Sequence, residues 1–407
     1  LSQSRSRERQ HRRRTLRAVS VEAMAERAVC MKVVLDARPL SHPQAGGFRS
    51  YTCALLQGLL ERGIDDLGLL LYVDREITKA DRTLVPPGAK VRVLSRNRLK
   101  TDLLRFPQAV REDCPDLVHG TMNYLPKLGN TPTTLTVHDA MGVKRYPWNS
   151  ALPRTPRERF INRYWAQMTR HSAQAARQVV TDSRGAAQEI GEALNLPEER
   201  VTVIYPGIRQ TSHDCLIKGD RPSAARVLAI ASPDPRKNID LLYRALTGEA
   251  KHFAKGISPH LDLVCSSPVS ARRAEEAIAR YGVPNVRLLR NLDDAALRNA
   301  YASAGVFAWP SLREGFGLPP LEAMQSGCPV ASSRAPVMPE VLGDAPLYFD
   351  PDNPAELAGA LAFLLNESPE ARKIRVLAGQ ERARQYTCRR MAEETVAVWK
   401  TAGRAPV

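Results

Sequence analysis

Residues 310–330 read P-S-L-R-E-G-F-G-L-P-P-L-E-A-M-Q-S-G-C-P-V, with Glu314 and Glu322 on either side of a glycine turn that opens a helix. The apolar run before it, 305–309, predicts a short buried strand; Gly327 predicts a helix stop before another strand at 328–332. Gly315 and Gly317 permit backbone angles and close approaches that a Cβ forbids. Pro319 and Pro320 suit a helix's first turn, where an amide hydrogen has no intrahelical partner. A strand, a glycine loop and a helix start together offer free amides and a positive dipole end, which suit an anion such as a diphosphate. The two carboxylates can accept hydrogen bonds from sugar or ribose hydroxyls.

A departing diphosphate needs its charge stabilised, by a metal or by fixed cations. Residues 235–238 (P-R-K-N) follow an apolar strand at 227–231 and lead into a helix at 238–246, which puts Arg236 and Lys237 at a strand's carboxyl end. Open α/β sheets bind ligands along that edge. The planar fork of Arg and the point charge of Lys can cradle two phosphate charges. As plain surface residues they would sit badly, because a helix's positive end disfavours cations.

Other candidates are less distinctive. His138, at the end of a strand predicted over 134–138, titrates near neutrality and can hold a sugar hydroxyl or move a proton. His119, in H-G-T-M-N-Y-L-P, is a second candidate of the same kind. Gly46 and Gly47 follow the first strand and would let a phosphate or an acceptor reach the backbone; Gly47 is assigned to the donor. Met338-Pro339-Glu340 reads either as a wall of the donor pocket or as a helix-start acid. Asp350-Pro351-Asp352 has a D-x-D spacing that could hold a divalent cation, yet it leads into a Pro-rich helix start and reads as a cap far from the chemistry. With Arg236 and Lys237 available, no metal and no cofactor is expected.

These residues need a scaffold, and the chain's 407 residues suit two domains better than one core. Short strands at 31–36, 69–73, 90–94, 117–119, 134–138 and 179–181 alternate with helical patterns. The pattern restarts with strands at 227–231, 260–265, 286–289, 306–309 and 329–332, which predicts an α/β protein of two Rossmann-like, doubly wound domains. The expected division is a disordered basic extension at 1–30, a first domain at 31–205, a linker at 206–222, a second domain at 223–380 and a C-terminal helical segment at 381–407. Within it, 383–401 reads as one amphipathic helix with Thr387 as a plausible N-cap.

The net charge is +16, and residues 1–30 alone hold eight arginines against three glutamates. That arginine cluster is not followed by the apolar stretch of an export signal. No apolar run approaches the length of a membrane-spanning helix. The seven scattered cysteines include no C-x-x-C, which argues for a reducing, cytoplasmic setting. Basic residues interleave with Leu94, Leu99, Leu103, Leu104 and Phe106 between 90 and 111, and more arginines follow at 154–177. Such segments are either a face for anionic membrane or solvated helix surfaces, and the sequence leaves both open. Aromatic residues make up only 6% of the chain, without a basic stacking platform, so no nucleic acid is expected.

The 310–330 stretch closely resembles the signature of the retaining glycosyltransferases of family 4, which share the GT-B fold. In that family two glutamates enclose a Gly-Phe-Gly-Leu-Pro core, as Glu314 and Glu322 do here. The resemblance implies that Glu314 lies by the donor sugar with the amides of Gly315, Phe316, Gly317 and Leu318, and that Glu322 holds the ribose. A similar Glu-Pro-Arg-Lys-Asn segment implies that Arg236 and Lys237 grip the diphosphate, although Asp234 replaces the Glu and Ala231 stands where Gly is usual. A Val-His-Asp likeness implies that His138 lies against the donor sugar. The last helix is implied to cross back to the first domain, with Tyr386-Thr387-Cys388 departing from the family's usual aromatic-Ser-Trp.

The expected function is retaining, metal-independent transfer of a hexosyl group, mannosyl or glucosyl among the candidates. The donor is a nucleotide-diphosphate sugar bound by the second domain, and the acceptor a glycan or lipid-linked sugar on the first. The catalytic set is Glu314, His138, Arg236 and Lys237. A sugar-nucleotide 2-epimerase, a phosphorylase and a non-enzymatic binder of anionic surfaces are the alternatives. Hexose, base and acceptor are not legible.

Overall fold

The structure is a computed structural model that describes residues 30–42, 46–147, 155–209, 225–248, 253 and 259–404. Residues 1–29 of the expected extension and 210–222 of the expected linker lie outside the described residues.

Seven parallel strands make the first sheet: β1 (Met31–Asp36), β2 (Leu67–Val73), β3 (Lys90–Val93), β4 (Leu117–Gly120), β5 (Thr133–Thr136), β6 (Gln178–Thr181) and β7 (Val201–Val203). Their order is β3-β2-β1-β4-β5-β6-β7. Six more make the second: β8 (Arg226–Ala231), β9 (His260–Cys265), β10 (Val286–Arg290), β11 (Val306–Trp309), β12 (Val330–Ser333) and β13 (Leu347–Phe349), ordered β10-β9-β8-β11-β12-β13. Central strands such as V-V-L in β1 and V-F-A-W in β11 are buried, as parallel strands covered by helices on both faces must be. In each sheet the strand order reverses beside the first strand, between β1 and β4 and between β8 and β11. A crevice opens at the carboxyl ends there, where such folds bind ligands. This is the two-Rossmann GT-B architecture expected from the sequence.

The C-terminal segment is two helices, Pro369–Arg384 and Cys388–Arg404, so 383–384 belong to the earlier one. Thr387 Oγ1 accepts from the Arg390 amide, as expected of an N-cap. The helix Cys388–Arg404 buries Met391, Ala392, Val396 and Trp399 in the same core as Tyr51, Leu55 and Leu59 of the helix Gly47–Arg62. The chain's end therefore completes the first sheet's core, while Pro369–Arg384 contributes Ala383 to the core of the second.

His119 is not a cleft residue. It is fully buried in β4, hydrogen-bonded to the hydroxyls of Thr134 (2.8 Å) and Thr136 (3.2 Å) and packed near the ring of Trp399. Burial, helped by His138, pushes its pKa down to about 3, so it is a neutral core histidine.

Candidate active site

The loops after β8 and β11 bring three charged side chains together. Asp234 accepts the Arg236 amide at 3.0 Å and opens a 3-10 turn, Pro235–Lys237, that projects both cations toward residues 311–317. Glu314 fits between them: one carboxylate oxygen pairs with Arg236 Nη1 and the other with Lys237 Nζ at 2.7 Å. Ser311 Oγ also donates to Glu314, and Lys237 Nζ lies 4.4 Å from the centre of the Trp309 ring. Burial works against the Glu314 carboxylate, but Lys237 and Arg236 outweigh it and hold its pKa below the usual range. Lys237 is shifted down by burial and by the like charge of Arg236, despite Glu314; Arg236 is shifted up, its carboxylate neighbours outweighing burial. The sequence assigned Glu314 to the sugar and the cations to phosphate. In the structure the three form one ion cluster, and an incoming diphosphate would compete with Glu314 for the same two cations.

Across the cleft, the loop after β5 meets Gly315. A Cβ on Gly315 would lie 2.0 Å from the His138 carbonyl oxygen, so no other residue fits there without movement. Ser183 Oγ donates to the Gly315 carbonyl at 2.7 Å, and Arg313 pairs with Glu189 at 2.9 Å. His138 lies two residues past the end of β5, not in the strand. Its Nδ1 faces Asp182 Oδ2 at 2.7 Å and its Nε2 faces the Thr121 carbonyl at 3.0 Å. Both partners accept, an arrangement that favours the imidazolium, with a hydrogen on each nitrogen. Burial opposes that charge, but Asp182 and Thr121 outweigh it and raise the pKa. With both nitrogens taken, the side chain is no free base. What His138 turns toward Gly315 is its carbonyl.

Glu322 lies in the helix Leu318–Gln325, and the cavity it lines includes none of Arg236, Lys237 and Glu314. Its carboxylate is 3.4 Å from the Tyr301 hydroxyl and lines a cavity with Arg209, Asp294, Arg298 and Gly46. Burial, with the negative charge of Asp294, raises its pKa. Gly317 takes φ 100°, a left-handed angle that favours glycine, and starts this helix; Phe316 is buried against the Tyr386 ring. Gly47 is the first residue of the helix Gly47–Arg62 and lines a different cavity of about 440 Å³, with Phe48, His42 and Arg96. Phe48 links that cavity to the cleft, its ring 5.2 Å from His138.

One pair of residues escaped the sequence reading, and two segments that it named are placed more definitely by the structure. Asp182 and Ser183, which follow β6, hold His138 and Gly315; the T-D-S triplet at the same sheet edge was the available signal. Glu340 serves as a helix-start acid, one of the two readings open to it, but at a helix other than its own. It accepts the amides of Arg184 and Gly185 (2.7 and 3.0 Å) at the start of the helix Arg184–Leu194, and the Tyr205 hydroxyl at 2.9 Å, bracketing the two sheets. The D-x-D turn is nearer than expected, because the Pro351 carbonyl accepts from Asn238 Nδ2 at 2.8 Å. Its cap is Asn353, while Asp350 accepts the Asp352 amide. Among the described residues no group of three or more His, Cys, Asp and Glu side chains is placed to hold a metal. Among them, too, no helix is long and apolar enough to cross a membrane.

Comparison with known proteins agrees with this architecture. Residues 224–367 match the family described as Glycosyl transferases group 1, and residues 45–211 match Glycosyltransferase Family 4. The chain is 28% identical over 398 residues to O-antigen chain mannosyltransferase B of Escherichia coli, covering 91% of this chain and 100% of that one. It is 28% identical over 280 residues to MMP alpha-(1->4)-mannosyltransferase of Mycolicibacterium hassiacum, covering 67% and 66%. Sucrose-phosphate synthase of Thermosynechococcus elongatus superposes with a TM-score of 0.71 at 19% identity, over 91% of this chain and 98% of that one. Anabaena HepE in complex with UDP-glucose gives 0.63 at 16% identity, over 91% and 100%. At these identities the structural likenesses speak for the fold.

Proposed function

Because this chain belongs to the family 4 glycosyltransferases of group 1, we propose that it transfers a hexose, mannose first among the candidates, from a nucleotide-diphosphate donor to a glycan or lipid-linked acceptor. The names of the sequence relatives favour mannose. The observation that carries the reading is the cluster of Arg236, Lys237 and Glu314 at the carboxyl end of β8, one residue from the Gly315 contact with His138.

In this reading the diphosphate takes Arg236 and Lys237, and Glu314 exchanges part of its pairing with them for the hexose hydroxyls. Fixed cations in a dry site stabilise a leaving group without reorganising during reaction. Glu322 receives the ribose hydroxyls in its own cavity, and the amides from Gly315 to Leu318 line the donor. His138 acts as a positioning cation whose carbonyl borders the sugar. The acceptor approaches through the cavity of Gly47 and Phe48, so Gly47 faces the acceptor in place of the donor first assigned to it. Its hydroxyl oxygen bonds to the anomeric carbon as the bond to the diphosphate breaks, and a leaving phosphate oxygen takes the proton. Attack on the face that the diphosphate leaves gives retention, with no metal required.

Thermal-shift measurements with GDP-mannose, UDP-glucose and ADP-glucose, with and without EDTA, test the donor, because a ligand of the folded state raises Tm by mass action. The expected result is a selective, EDTA-insensitive rise with GDP-mannose and an axial anomeric product by NMR. No rise with any donor, or an inverted product, would remove the reading.

A further inference from the structure

We propose that the face made by residues 98–105 and the head of the helix Pro156–Ala175 docks on the surface of an anionic lipid bilayer. Its apolar side chains stand in solvent: Leu99 is 59% exposed, Leu103 61%, Leu104 60% and Phe160 73%, with Ile161 beside it. Phe160 is the most exposed large apolar residue among those described. Isolated exposed leucines are ordinary, but several large apolar side chains exposed on two segments that the fold joins mark an interaction surface.

The two segments are distant in sequence and are brought together by one stack. The Arg98 guanidinium lies 4.1 Å from the Trp165 ring centre and donates to the Tyr124 hydroxyl at 3.0 Å. Tyr124 and Trp165 are 4.8 Å apart between ring centres. Ile161 lies one turn N-terminal to Trp165 on the same helix face, with Phe160 on the flank beside it. The backbone between Arg98 and Phe106 also departs from a regular helix, since Thr101–Arg105 is π-wound. The wider turn leaves Leu103 and Leu104 outside while Phe106 enters the core with no exposed surface. A π-turn of this kind is uncommon and collects at functional sites.

The charge around the patch selects the occupant. Arg96, Lys100, Arg105, Arg157, Arg159 and Arg163 are all exposed there, against Glu158. Two copies of this face would set those cations against each other, which disfavours a dimer. Nucleic acid would satisfy the cations but leave the leucines and Phe160 wet. An anionic bilayer satisfies both, with apolar side chains in the acyl boundary and cations among the headgroups. The position is also apt: Arg96 and Arg98 line the cavity that contains Gly47 and Phe48, next to His138. A lipid-linked acceptor would then present its head to the cleft from the bilayer. That consequence rests on the proposed sugar transfer; the docking itself does not.

Flotation of the full chain with vesicles tests it. Wild type is expected to float with phosphatidylcholine–phosphatidylglycerol vesicles and far less with phosphatidylcholine alone. The combined Leu103→Ser, Leu104→Ser and Phe160→Ser variant should lose more than about tenfold in partitioning. Its Tm and its transfer to a soluble acceptor should be unchanged, because the three side chains pack on little. Arg157→Glu with Arg159→Glu should weaken binding through charge alone and guards against a folding artefact. No flotation of wild type, undiminished flotation of both variants, or a dimer that the serine variant dissociates would each overturn the proposal. Loss of sugar transfer with intact vesicle binding would count against the enzymatic reading, not against the surface.

Discussion

Glu314 and Lys237 are joined by a 2.7 Å ion pair in which the carboxylate is buried and the lysine half-buried, and Arg236 holds the other carboxylate oxygen. A buried carboxylate with two cations is a site prepared to exchange one anion for another. Replacing Arg236 by Ala should lower kcat/KM by about a hundredfold or more, the usual cost of losing a fixed charge donor at a developing anion. It should lower stability by no more than about 3–5 kcal/mol, the range for breaking a buried pair. Steady-state kinetics and urea unfolding on the same preparation check both numbers. Unchanged kcat/KM would end the diphosphate assignment.

Gly315→Ala is a separate test of the cleft. Its Cβ would meet the His138 carbonyl at 2.0 Å, so the loops after β5 and β11 must move apart. Activity should fall by more than about tenfold, because small misplacements of reacting groups are costly. Donor affinity, read by calorimetry, should fall less than kcat. Wild-type kinetics in this variant would show that the contact is not made during turnover.

His138 gives a pH signature. Its folded pKa is raised above the unfolded value, so the charge-dependent part of its stabilisation is fully present below the unfolded pKa of about 6.5. That part is lost as pH rises through the folded pKa. The stability difference between wild type and Asp182→Asn should therefore be largest in mild acid and shrink above neutrality. Denaturation at a series of pH values reads it, and NMR titration of the His138 ring should show its pKa falling in the variant. A difference independent of pH would mean that the ring is neutral.

Glu340→Gln keeps the shape but removes the charge that accepts two amides at the start of the helix Arg184–Leu194. Charge-assisted bonds of this type are worth about 1.5–3 kcal/mol each at most, and the helix dipole adds to them. A wider distribution of domain separations in small-angle scattering is expected, with kcat reduced. Identical scattering curves would relegate Glu340 to a local cap.

Glu322→Gln should act mainly on donor binding. Its cavity is separate from the ion cluster, so KM for the donor should rise about tenfold with kcat nearly kept, the pattern of lost uniform binding. Initial-rate measurements over a donor concentration series decide this. A fall in kcat alone would move Glu322 into the chemistry.

Local chemistry was legible wherever one short segment carried it. The strand–glycine–helix order of 306–325, the prolines in the first turn and the cap at Thr387 follow from backbone preferences that neighbouring residues fix, and strand–helix alternation with its restart near 226 determined the two-domain fold. What the sequence could not supply was the pairing of charges from different segments. Glu314 looked like a free hydroxyl acceptor until residues 77 and 78 positions away closed on it. His138 looked like a candidate base until Asp182 and Thr121 occupied both nitrogens, and His119, the second candidate, was taken into the core. The sequence showed basic and apolar residues near 100 and arginines near 160, but the stack of Arg98 on Trp165 joined the two segments. Sequence fixes which groups are available and how each short segment folds, because those energies are local. Which charges meet, and which are buried, depends on contacts across the whole chain, and in a low-dielectric interior those contacts set the protonation state and the role of each group.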